Sequence, residues 1–159
     1  MKSAMKNFFF GGAGSASRDG DVGLLLLRVV GLLMAIGHGM SKVFGEGRFG
    51  PPDQLVAGIK EMGFPLPTAF AWGAALAEFV GGILIALGLL TRPAALALAF
   101  NMAVAAFVAH GGDPLFMGGK GAAKEPALLY LIPFAALALT GAGRYSIDRL
   151  IAARRPRKD

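Results

Sequence analysis

Residues 69–90 read AFAWGAALAEFVGGILIALGLL, and this stretch decides the fold. Glu78 is its sole ionisable residue. A membrane-spanning helix needs about 20 consecutive apolar residues. Lipid offers a bare backbone no partners, so an apolar run of this length with one charge is expected to be a helix. Three further stretches read the same way: residues 22–44, 93–110 and about 124–142. The last reaches spanning length only if Lys124 and Glu125 enter its first turn. The expected fold is all-α, an integral membrane four-helix bundle with short interfacial helices.

Composition agrees. Apolar residues make up 55% of the 159 and charged residues 16%, against about 25% charged in an ordinary soluble chain. There are too few polar groups to cover a soluble surface of this size. Cysteine is absent, which excludes disulfides, thiolate metal sites and iron–sulfur ligation within the chain. The net charge of +6 lies largely at the two ends, and this is a topology signal rather than a nucleic-acid footprint. With four spans the termini share one side. That side would hold ten Lys and Arg residues and the other five, with Arg28 inside the first span. Both termini are therefore expected in the cytoplasm, on the inner face of a bacterial membrane. Residues 1–21 read as a flexible tail, 22–143 as the membrane domain and 144–159 as a basic juxtamembrane tail.

Two segments have the pattern of helices lying on the membrane. In residues 52–63, Leu55, Val56, Ile59 and Met62 recur at helical spacing, and Pro65 and Pro67 follow. A cap over the bundle is the equal alternative for this segment. Near the C-terminus, Ile147, Leu150 and Ile151 stand beside Arg144, Asp148 and Arg149.

Polar residues within spans are costly and face the bundle or a cavity. Arg28, Gly31, Ala35, His38, Gly39 and Lys42 share one stripe of the first helix, and Ala74, Glu78, Gly81 and Gly82 one stripe of the second. Small residues every four positions let helix backbones approach closely. Counted at 1.5 Å per residue from the cytoplasmic ends, Arg28 lies ~9 Å deep, Asn101 ~12 Å, Glu78 and Tyr130 ~18 Å, and His38 ~24 Å. Lys42 and Glu125 fall near the outer surface. Three expectations follow. Arg28 pairs with Glu78 across the first two spans. His38 and Lys42 share a face one turn apart, within reach of Glu125, around a cavity open to the outside. The candidate polar site comprises Arg28, His38, Lys42, Glu78, Asn101, Glu125 and Tyr130, with no residue assigned a catalytic role. Two separated histidines, His38 and His110, make haem unlikely as a cofactor, and no metal site is evident. Gly118-Gly119-Lys120-Gly121 is too short for a phosphate loop and follows no strand.

One ordered set of features goes further. Gly37-His38-Gly39-Met40-Ser41-Lys42 follows the early arginine. Ala77-Glu78-Phe79-Val80-Gly81-Gly82 leads to Leu89-Leu90-Thr91-Arg92-Pro93. The fourth span opens Glu125-Pro126-Ala127-Leu128-Leu129-Tyr130, and the chain closes with Gly143-Arg144-Tyr145-Ser146-Ile147-Asp148. From about Val22 to Leu150 this order resembles the DoxX family of four-helix prokaryotic membrane proteins. The resemblance implies a bacterial cytoplasmic-membrane bundle, with Arg28, His38, Lys42, Glu78, Gly82, Arg92, Glu125 and Tyr130 as signature positions. It also implies a setting. Some members of the family are linked to thiosulfate oxidation with quinone as acceptor, others to membrane redox complexes and oxidative-stress resistance. Three functions stay open: a quinone-interacting accessory subunit of a redox system, a small-solute or proton permease, and a structural subunit docking other subunits of a redox complex. The lipid bilayer is a partner in all three, and nucleic acid in none.

Overall fold

The computed structural model describes residues 17–118 and 121–153, so most of the expected N-terminal tail and the last six residues lie outside it. Among the described residues there are six longer helices, one short 3-10 turn at Gly45–Gly47, and no strand. The six helices are α1 (Arg18–Phe44), α2 (Asp53–Glu61), α3 (Pro67–Leu87), α4 (Thr91–Ala109), α5 (Glu125–Thr140) and α6 (Ile147–Ala153). Helices α1, α3 and α4 are long and apolar enough to cross a membrane, and α5 is a shorter apolar helix of 16 residues. These four form the bundle. Helix α1 packs on α3 and α5, and α4 completes the ring against the same two.

The core is the contact of all four. Met34, Ile85, Leu98, Phe134 and Leu137 are almost completely buried there. The outer surface carries the opposite signature. Leu26, Leu33, Ile36, Leu129, Ile132 and Leu139 are all more than half exposed. An apolar surface on this scale is what a bundle surrounded by acyl chains presents and what a soluble monomer avoids.

Small residues set the α1–α3 contact, as the spacing of Gly31, Ala35 and Gly39 predicts. A Cβ added to Gly82 would lie 2.5 Å from the Gly31 carbonyl oxygen, and one added to Gly39 would land on the Phe79 backbone. Gly81 turns instead toward Leu98 on α4, and a Cβ on Gly73 would meet nothing within 4 Å. The seam on α3 therefore runs through Gly82 rather than Gly81. Gly39→Ala is expected to cost about 1–3 kcal/mol, since backbone cannot yield as a side chain can. Gly37→Ala adds a methyl where nothing lies within 4 Å and should leave the unfolding midpoint in detergent unchanged. Equal midpoints for the two variants would show that α1 and α3 do not meet at Gly39.

Three π-helical turns interrupt the spans: Ala35–Gly39 in α1, Ala77–Gly81 in α3 and Ala105–Ala109 in α4. Such a turn widens the helix locally and changes which residues share a face beyond it. The first two pack against each other at the centre of the α1–α3 contact.

Helix α1 begins at Arg18, capped by Ser17 Oγ accepting from the Gly20 amide at 3.1 Å. This start is four residues earlier than the hydropathy boundary. At its other end α1 stops short. Phe44 stacks edge-on against Phe79, yet α3 extends twelve residues further, to Pro67, an overhang of ~18 Å. Helix α2 packs on this overhang and turns Leu55, Ile59 and Met62 toward a cavity beneath it. It is thus a cap on the bundle.

Candidate functional site

Helices α2, α3 and α4 enclose a cavity of about 380 Å³, within the range of pockets that hold small organic ligands. Its walls are almost wholly apolar, with Phe70, Ala74 and Ala77 on α3, Ala97 and Val104 on α4, and Phe64 at the α2–α3 connection. Three polar side chains break this lining: Lys42, Glu78 and Asn101. Lys42 Nζ donates to both Glu78 carboxylate oxygens, at 2.5 and 2.6 Å. Asn101 Nδ2 donates to Glu78 Oε1 at 2.9 Å. Glu78 is 2% exposed, whereas the Lys42 side chain keeps 28% of its surface open.

The carboxylate is thus fully engaged and its partners are not. Lys42 has three N–H donors, two of them spent on Glu78. Asn101 retains its second amide N–H as a donor and its oxygen as an acceptor. A ligand in the cavity would meet one charged donor and one neutral amide that can donate or accept, both held in place by a buried anion. This arrangement can bind a carbonyl oxygen and orient a hydroxyl beside it.

The other expected site residues go elsewhere. Arg28 does not meet Glu78. Its guanidinium donates to the carbonyls of Ile85 at 2.9 Å, Ala86 at 2.6 Å, Tyr145 at 2.6 Å and Ala142 at 3.4 Å. The physical reason is axial register. Arg28 is level with the end of α3, because α1 runs on beyond that end. Lys42, placed near the outer surface by counting residues, reaches the middle of α3 instead, because α1 ends low. His38 and Lys42 diverge across the end of the π-turn. The His38 ring is exposed and meets Tyr130 of α5 edge-on at 5.5 Å, while Lys42 enters the cavity. Tyr130 also stacks on Phe134 at 6.2 Å. Glu125 accepts from the Met117 amide at 2.9 Å and pins the loop before α5 rather than approaching Lys42. His110 Nδ1 lies 2.8 Å from Asp113. Among the described residues, no three His, Cys, Asp or Glu side chains gather into a metal-sized group.

A second polar cluster, which helical periodicity does not reveal, closes the end that holds α6. Asp148 is 3% exposed and accepts from the amides of Leu90 at 2.8 Å and Thr91 at 3.0 Å. It thereby satisfies the first amides of α4 and steadies Leu90, whose φ of 49° costs an L-residue energy. Asp21 is likewise buried and accepts from the Arg144 amide at 3.0 Å. With Arg28, these carboxylates tie the α3–α4 turn and α6 to the start of α1. Asp148 falls in the stretch that composition marks as a basic juxtamembrane tail, yet it is buried and caps α4. The signal available in the sequence was the order Tyr145-Ser146-Ile147-Asp148, which belongs to the resemblance rather than to any period.

The DoxX family profile matches residues 23–111. An uncharacterized protein of Haemophilus influenzae is 35% identical over 136 residues, covering 79% of this chain and 87% of its own. The inner membrane protein YqjF of Escherichia coli is 34% identical over 132 residues, covering 82% and 93%. An uncharacterized membrane protein of Mycobacterium tuberculosis is 32% identical over 148 residues, covering 86% and 85%. No solved structure matches the chain.

Proposed function

The chain belongs to the DoxX family of membrane proteins, and from that premise we propose that it is a quinone-binding accessory subunit of a redox system in the bacterial inner membrane, with both termini in the cytoplasm. The observation that carries this reading is the Lys42–Glu78–Asn101 cluster at the edge of an otherwise apolar cavity. A quinone has an apolar ring with two carbonyl oxygens. Such a molecule needs an apolar chamber with a few placed donors, and Lys42 supplies a charged donor where one carbonyl would lie. Water would be a poor occupant of walls so short of polar groups.

Glu78 holds Lys42 in place and keeps the site close to electrically neutral. The electrons for any redox step would come from a partner subunit, because the chain has no cysteine and gathers no metal-ligating group among its described residues. Orientation rests on the ten-to-five distribution of Lys and Arg, together with α1's start and α6 lying at one end of the bundle.

Trp72 is the single tryptophan and precedes Gly73 of the cavity wall, so its fluorescence reports occupancy. Titrating a benzoquinone into the purified protein is expected to quench it saturably. Asn101→Leu keeps the Lys42–Glu78 pair and removes the neutral acceptor and donor. It should weaken binding about tenfold, the worth of one hydrogen bond in a dry site. Quenching that never saturates, or that is indifferent to Asn101→Leu, would refute the assignment.

A further inference from the structure

We propose that this cavity is a sideways entrance from the bilayer, built for a ligand carrying an isoprenoid or alkyl tail. The proposal rests on the quinone reading and specifies its substrate class: a lipid-borne quinone rather than a water-soluble one.

The first observation concerns where the cavity opens. Phe100 lines it and is 72% exposed. This residue stands nine positions from each end of α4, so it lies ~13 Å from either end. Exposure at that depth is exposure to acyl chains. Gly73 and Ala97, which line facing walls of the cavity on α3 and α4, are exposed as well. Between these helices the lining opens through small residues, without a bulky side chain at either of these two positions.

The second observation is the roof. Helix α2 lays Leu55, Ile59 and Met62 over the outer end of the cavity, and Ile59 is buried there. An apolar helix face across that end opposes entry from water and leaves the gap between α3 and α4 as the route. The third is the placement of the polar group. Glu78 lies eleven residues from the start of α3 and nine from its end, close to mid-membrane. A headgroup arriving there from solution would have to shed its water and pass the roof. One arriving from lipid has already lost that water. The trench walled by Gly73, Ala77, Ala97 and Ala105 has the width of small side chains, which suits a chain of methylenes lying behind a ring docked at Lys42 and Asn101.

The test compares two probes with the same ring, 2,3-dimethoxy-5-methylbenzoquinone without a tail and its decyl-tailed derivative. Both are titrated against Trp72 fluorescence in nanodiscs, with each affinity referred to the probe's free aqueous concentration. The tailed probe is expected to bind at least about tenfold tighter, since burying even two methylenes is enough. Gly73→Leu and Ala105→Leu fill the trench from opposite walls. Each should bring the two affinities within about twofold, by weakening the tailed probe far more than the tail-less one. A Cβ on Gly73 meets nothing within 4 Å, so that variant should fold, and Ala105→Leu gives the same readout away from Trp72. Equal affinities for both probes in the unsubstituted protein, or equal weakening of both by the trench substitutions, would overturn lateral tail binding while leaving the quinone site standing. Failure of both probes to quench saturably would overturn the quinone reading and this proposal together.

Discussion

Lys42→Met should cost about 3–5 kcal/mol of stability, the penalty of leaving one member of a buried ion pair alone. The two members are not equivalent. Glu78 is 2% exposed in the middle of α3, so without Lys42 its carboxylate would keep only the Asn101 amide. Lys42 sits near the end of α1 with 28% of its side chain open, and without Glu78 it can extend away on a flexible stem. Glu78→Met is therefore expected to cost less than Lys42→Met. The double substitution should recover most of the loss, because an apolar pair of similar volume is often as stable as a buried ion pair. Unfolding of all four proteins in mixed micelles titrated with a denaturing detergent gives the complete cycle. Additive losses would mean that the 2.5 Å contact contributes no coupling. If stability returns in the double variant while quinone binding does not, the pair serves the ligand as well as the fold.

Arg28→Met should be comparably severe, about 3–5 kcal/mol, for a different reason. Its guanidinium makes three hydrogen bonds of 2.6–2.9 Å to main-chain carbonyls, and bonds from a charged donor contribute about 1.5–3 kcal/mol each without adding fully. Ile85 and Ala86 are in the last turn of α3, where carbonyls run short of intrahelical donors; the Ile85 carbonyl accepts from the Gly88 amide at 3.0 Å as well as from Arg28. Tyr145 lies in the segment leading to α6. One planar fork thus joins α1, the end of α3 and the chain before α6. Lysine offers a point charge without the fork, so Arg28→Lys should recover less than half of the loss. Hydrogen exchange provides the local check, with amides of Leu90, Thr91 and Asp148 exchanging faster in Arg28→Met. Full rescue by lysine, or unchanged protection at those amides, would show that the residue acts only as a charge near the headgroups.

These two side chains also divide what was legible in the amino-acid sequence from what was not. Apolar run length, the Lys and Arg distribution and the spacing of Gly31, Ala35 and Gly39 each act locally, through backbone desolvation, membrane charge asymmetry and helix-face geometry. They were enough for an all-helical membrane bundle, for the close α1–α3 contact and for Glu78 as a charge that must be met by something. The ordered motifs were enough for the family. What local patterns cannot contain is axial offset. A helical wheel gives the angle of a residue but not the height at which its helix meets the next one. Arg28 and Glu78 share the right faces, yet α1 overruns the end of α3, so Arg28 finds carbonyls and Lys42 finds Glu78. The π-turns at Ala35–Gly39 and Ala77–Gly81 add a second reason, since each changes the face relations that a uniform 3.6-residue period assumes. That parts His38 from Lys42 and turns Gly82 rather than Gly81 toward α1. Asp148 is the extreme case. Its hydrogen bonds reach Leu90 and Thr91, 57 and more positions away, and only the folded chain brings a carboxylate from the last helix to the first amides of α4.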